Sequence, residues 1–233
     1  MKSFSLNSMT GLFILCVGVT RLFAGDVTGK IIFQGKAPVM PAIKMNADMQ
    51  CMKMHKTPVH QEDVVVNSNG TLENVFVYIK EGITKKYDPP STPVTLTQEG
   101  CQYHPHVFGI QAGQDLLIVN ADPTLHNIHA LPVINTQFNN AQPLKGMKMT
   151  KKFDKPEVMI KIKCEVHNWM HAYCGVLTNP FFDVSNDKGT FTIKNLPPGT
   201  YTIEAWQEKY GAQDQKVTVT DKGTTVDFKY SEK

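Results

Sequence analysis

Residues 157–177 read EVMIKIKCEVHNWMHAYCGVL. Glu157 to Cys164 reads as a short strand, with apolar residues and lysines alternating from Ile160 onward, and Gly175 to Leu177 reads as a second. The loop between them carries Cys164-Glu-Val-His167-Asn-Trp-Met170, with Cys, His and Met each separated by two residues. A single tight loop at that spacing turns three side chains toward one point. Thiolate and thioether sulfurs are soft ligands and imidazole is borderline, a mixture that suits copper in both its Cu(I) and Cu(II) states.

Such a set wants a fourth ligand from a distant strand end. Upstream, Asn120-Ala-Asp-Pro-Thr-Leu-His126 follows the strand Asp115 to Asn120, with a turn at Asp122-Pro123. His126, Cys164 and His167 would form a trigonal plane, with Met170 as a weak axial ligand, the type 1 (blue) arrangement. Singly, a Cys or Met is usually core and a His usually a satisfied polar group. The four together are the strongest chemical signal in the chain.

Working outward, the rest reads as all-β. Short strands are expected at Val27 to Phe33, Val107 to Gln111 and Asn127 to Leu131, with a hairpin from Asp63–Asn67 to Leu72–Ile79 around Asn69-Gly70. Residues 36–61 read as a loop, and the amide-rich residues 135–150 as a surface excursion. Tyr87 to Pro93 is Pro-rich and breaks the pattern. The last part alternates again at Gly189 to Ile193, Gly199 to Trp206, Gln215 to Thr220 and Thr224 to Tyr230, with a turn at Leu196-Pro-Pro-Gly199. No helix of standard length is expected.

Lys2 followed by the apolar run Gly11 to Thr20 reads as a secretory leader, cleaved after Ala24 or Gly25; an uncleaved anchor is the alternative. No other stretch is long and apolar enough to cross a membrane. Of the 24 basic residues, setting aside Lys2 and Arg21 leaves 22, all lysines, against 21 acidic ones. A chain with no arginine lacks the guanidinium fork for phosphates and base edges, which excludes nucleic acid as a partner. Export permits a disulfide. Cys164 is committed to the metal and Cys174 sits beside its loop, so Cys51 and Cys101 are the best pair.

Residues 101–178 resemble the cupredoxins, closest in loop spacing to amicyanin and similar to plastocyanin. Leu125-His126-Asn127-Ile128-His129 and Cys164-x2-His167-x2-Met170 carry the resemblance. It implies a Greek-key β-sandwich with copper at one end and Asn127 pinning the ligand loop by hydrogen bonding. The chain also resembles bacterial plastocyanin-like proteins called methylamine utilization proteins, through Cys101-Gln-Tyr-x-Pro-His106, the amide-rich excursion and Leu196-Pro-Pro-Gly-Thr-Tyr201. Residues 185–230 resemble the carboxypeptidase regulatory-like (transthyretin-like) sandwich, and Val27 to Phe33 its first strand. The organisation expected is a leader at 1–24, an N-terminal β region at 25–90 partly joining the small sandwich, a cupredoxin domain at 91–180 and the regulatory-like region at 181–233. The small sandwich would be built from the chain ends, with the cupredoxin inserted. His171 and Cys174 depart from the amicyanin pattern; a binuclear site fails because the second Cys follows Met170.

Other candidates are weaker. His104-Pro-His106 and His129 are too few for a trinuclear cluster and read as surface or core polar groups. Met40, Met45, Met49, Met52 and Met54 around Cys51 read as packing under a long loop, with a Cu(I)-capturing strip as the alternative. Trp169 and Tyr173 are either docking anchors or lids over the metal. Glu165 reads as solvated, and no hydrolytic triad, phosphate loop or paired carboxylates are present. The function expected is an exported, non-enzymatic carrier of single electrons to a redox partner such as a c-type cytochrome or oxidoreductase, and the resemblance to cupredoxins implies His167, on an exposed ligand loop, as the electron port. Copper handling is the alternative, and a structural module a third.

Overall fold

A computed structural model of the chain describes residues 24–232, so the leader read at 1–24 lies outside the described residues but for its last position. The elements are β1 (Gly25–Gln34), α1 (Met49–Met54), β2 (Phe76–Glu81), β3 (Val94–Glu99), β4 (Gln102–His104), β5 (Val107–Gln111), β6 (Asp115–Asn120), β7 (His126–Leu131), β8 (Phe138–Gln142) and β9 (Lys148–Lys152). They continue with β10 (Glu157–Lys163), β11 (His171–Leu177), β12 (Phe182–Val184), β13 (Thr190–Leu196), β14 (Gly199–Gln207), β15 (Gly211–Val219), β16 (Thr224–Thr225) and β17 (Phe228–Ser231).

The strands make two sandwiches. One faces the sheet β5-β11-β10-β7-β8 against β4-β3-β6-β9. Its core takes alternate residues from both layers: Leu96, Leu116 and Ile118 meet Ile128, Ile160 and Ile162, all fully buried. Burying an Ile or Leu side chain contributes about 1.5–3 kcal/mol, which is why β6 keeps its strict alternation of buried and half-buried positions. The other sandwich faces β13-β1-β16, with β17 also on β1, against β12-β2-β14-β15. Val27, Ile31 and Phe228 pack there against Val77, Ile203 and Ala205. All the strands of the first sandwich fall in the chain between β2 and β12, which pair directly at Tyr78 and Phe182. The all-β expectation, with a small sandwich made from the two ends of the chain, therefore holds.

The sandwiches meet through aromatic rings laid on glycine. Gly109 of β5 and Gly175 of β11 are direct partners in a parallel pair. A Cβ on Gly175 would come within 2.5 Å of the Phe76 ring, and one on Gly109 within 2.3 Å of Phe182.

Several local expectations are corrected. Residues 36–61 are not all loop: Asp48 caps the short helix α1, accepting hydrogen bonds from the Gln50 and Cys51 N–H groups. The Asn69-Gly70 turn forms, but the expected hairpin shrinks to one bridge, Val66 to Leu72, because Leu72 donates to the Ile31 carbonyl of β1 instead. Residues 135–150 are not a free excursion. Their polar residues build β8 and the start of β9, edge strands whose outer faces are wet. β3 and β4 were not expected at all; β3 is the alternating VTLTQE directly after the Pro-rich break.

Candidate metal centre

β7 opens with His126, and the turn from β10 to β11 holds Cys164 through Met170. The loop closes on itself. The Cys164 N–H donates to the Met170 carbonyl at 3.1 Å and the Met170 N–H to the His167 carbonyl at 2.9 Å. The His167 N–H points at the Cys164 sulfur, 3.4 Å away. Asn127 Oδ1 accepts the Glu165 N–H at 3.2 Å, so the His126 strand and the Cys164 loop are tied together as the resemblance implied. Tyr103 O–H reinforces this, donating to the carbonyls of Asn127 and Lys163, each next to a predicted ligand.

The fold brings three predicted ligands to one point. Donor atoms of His126, Cys164 and His167 all lie within 4.8 Å of one another. The Nδ1 atoms of the two rings are 3.1 Å apart, and Cys164 Sγ is 3.9 Å from His167 Nδ1. A central ion at ~2.0 Å from nitrogen and ~2.3 Å from sulfur, the lengths zinc shows, spans separations of this size. Met170 is in the same buried cluster, at 1% exposure.

Each ring is aimed by a carboxylate on its far nitrogen. Asp122 Oδ2 is 2.8 Å from His126 Nε2 and also accepts the Cys101 N–H, while its Oδ1 accepts the Gly100 N–H. Asp48 Oδ2 is 3.0 Å from His167 Nε2. A carboxylate behind a ligating histidine fixes its tautomer and raises its basicity. In the metal-free chain, burial alone would push the Cys164 thiol up, but hydrogen bonds from His126, His167 and the backbone outweigh it and bring it down to about 6. Burial works against charge on both rings, yet Asp122 and Cys164 for His126, and Cys164 and Asp48 for His167, leave both raised. The donor set thus fits a soft-to-borderline transition ion: a ready thiolate, two aimed imidazoles and a thioether, all shielded from water.

One expectation fails here. His167 is not exposed; 2% of its surface is accessible. The segment read as a loop folds over it. The disulfide Cys51–Cys101 forms as expected, and Cys51 Sγ lies 3.4 Å from His167 Nε2. Trp169 tilts against the His167 ring and donates its indole N–H to the Cys101 carbonyl, so of its two readings it takes the lid. Of the methionines, Met45 is buried beneath this cap, whereas Met49 and Met52 point outward.

His104 and His129 stand apart from this site. His104 is exposed. His129 pairs with Glu165 and Gln137, and Glu165 also holds Lys163, so that carboxylate is exposed but engaged. Cys174 is a buried strand thiol whose pKa burial pushes well up. Sequence reading missed Asp48 and Asp122. Asp122 sat in the named turn, four residues before His126, a spacing that could have flagged it; nothing local flags Asp48.

Residues 181–231 match the model of the carboxypeptidase regulatory-like domain. No curated protein matches the chain. Solved structures similar to it include a copper-containing nitrite reductase from Thermus scotoductus SA-01, at 21% identity and TM-score 0.33, covering 42% of this chain and 25% of that one. The chain thus spans a quarter of that reductase. A variant of amicyanin in its Cu(I) form is similar at 14% identity and TM-score 0.32, covering 36% of this chain and 81% of that one. A purple cupredoxin from Nitrosopumilus maritimus is similar at 22% identity and TM-score 0.30, covering 35% and 97%.

Proposed function

We propose that this protein is an exported carrier of single electrons, with one type 1 copper ion held by His126, Cys164, His167 and Met170. The observation that carries the reading is the convergence of two Nδ1 atoms and one thiol sulfur within 4.8 Å, in a site almost closed to water. When bound, the ion would supply a Cu(II)/Cu(I) couple. The chain's own part is to fix ligand positions: Asp122 and Asp48 hold the rings, and the Asn127–Glu165 bond holds the two ligand segments in register. A site that does not rearrange between oxidation states suits electron transfer, and four protein ligands leave no open position for a substrate.

Closure also favours a carrier of electrons over a carrier of copper. Handing over the metal would require lifting a helix tied by a disulfide across His167. Electrons need only a short path to the surface. Leu125 and Val166, each immediately before a ligand histidine, are 39% and 47% exposed and offer a redox partner an apolar contact there. The disulfide agrees with an oxidising compartment.

The test is the visible spectrum after Cu(II) addition, beside Cys164→Ser. An intense thiolate-to-copper band present only in the parent supports the reading. A colourless protein, or a band indifferent to Cys164, overturns it.

A further inference from the structure

Away from the Cys164 loop's own ligands, His106, His171 and Glu208 bring three donor atoms within 4.8 Å of one another. His106 stands just before β5, His171 opens β11, and Glu208 follows β14, so the group joins the two sandwiches. Glu208 reaches both rings, one oxygen to each. Its Oε2 is 2.5 Å from His106 Nε2 and its Oε1 3.2 Å from His171 Nε2. Asp63 Oδ1 stands 3.6 Å from the same His171 nitrogen.

His171 Nδ1 lies 3.2 Å from the Trp169 carbonyl, which can only accept, so that nitrogen is engaged there and Nε2 is the one turned to Glu208. Two ring nitrogens and a carboxylate oxygen thus converge between the sandwiches.

We propose that His106, His171 and Glu208 are the protein ligands of a second metal site, taking a divalent transition ion of the Zn(II) or Cu(II) class. Two imidazoles and one carboxylate are the ligand types such ions select. An ion ~2.0–2.2 Å from each donor sets the donors about 3.4 Å apart in a tetrahedral shell; the Glu208–His171 pair at 3.2 Å is near that value, and the Glu208–His106 pair at 2.5 Å would open by about 1 Å to admit it. His106 and His171 also wall a cavity of about 10 Å³, with space for one water, which Glu208 does not line. Met170 and His171 are neighbours in sequence, so the second ion would sit one residue from the copper site's axial ligand.

The test is Zn(II) titration of the full-length protein carrying its copper, followed by calorimetry and by the visible band, in the parent, His106→Asn and Glu208→Gln. The site predicts one further Zn(II) equivalent in the parent. Either substitution should weaken it by at least about 10-fold, since even outer-shell changes cost that much, while the visible band stays as in the parent. Absence of the extra equivalent in the parent overturns the proposal, whatever the variants do, and leaves the group as hydrogen bonding between the sandwiches. So does an equivalent that both variants retain in full. Should no visible band form, the Zn(II) equivalent is still scored by its dependence on His106 and Glu208, so this site and the copper site fail separately.

Discussion

Asp48 Oδ2 lies 3.0 Å from His167 Nε2, though 119 residues separate them. The same side chain is the N-cap of α1, its other oxygen taking the Gln50 N–H at 2.7 Å. One carboxylate thus anchors the cap helix and backs a ligand of the proposed copper site. The ring's basicity rises with a negative partner, which favours Cu(II) over Cu(I). Asp48→Asn keeps an equally good cap and removes the charge. The expected result is a higher reduction potential in a redox titration, with unfolding changed by less than about 1 kcal/mol. A potential that stays or falls would sink this role for Asp48.

The disulfide that holds this cap closes a loop with a sequence separation of 50. Loop-closure entropy for that length gives about 4 kcal/mol of stabilisation. Replacing both Cys51 and Cys101 by Ser should lower stability in urea by roughly that amount. It should also speed hydrogen exchange of the α1 amides and copper loss from the reduced protein to a chelator. If the stability falls but exchange and copper loss do not change, the cap is held by packing alone.

The contact between the sandwiches gives a third test. Gly175 has no room for a methyl group, since its Cβ would meet Phe76 at 2.5 Å, and Phe76 is fully buried. Gly175→Ala should cost about 1–3 kcal/mol through overpacking, and Gly175→Ala with Phe76→Leu should recover part of it. Non-recovery in the double variant, measured by urea unfolding, would mean the strain lies elsewhere.

These residues mark what could and could not be read in the chain. Short apolar strands between turn signals announced themselves: β5 and β6 lie where that recurrence placed them. The ligand loop was legible because its chemistry is local, three donors within seven residues. Edge strands were not. β8 and β9 carry mostly polar residues because one side of each faces water, so their pattern looks like a loop. The cap was invisible for another reason. A helix of six residues has no period to detect, and the only mark of its role is Asp48, whose partner His167 is brought close by tertiary structure. The exposure of His167 was misjudged for the same cause.

Acid should loosen the proposed cupredoxin unit through Glu157. Its carboxylate accepts the N–H groups of Val133, Ile134 and Asn135 and the Asn135 side-chain amide, pinning a loop whose Val133 is 93% exposed. Partial burial pulls its pKa upward, but these donors outweigh that and hold it below the usual 4.5. A carboxyl depressed in the folded state contributes stability that is complete above its unfolded pKa and is lost as pH falls through the folded one. Glu157→Gln keeps the shape but leaves one oxygen for four donors. At pH 7 it should be less stable by about 1–3 kcal/mol. As pH drops below 4.5 the parent's own carboxyl protonates, so the gap between parent and variant should narrow. Urea unfolding of both proteins at pH 7 and pH 3 measures this directly. A gap of equal size at the two values would show that the charge on Glu157 contributes nothing and that only its shape matters.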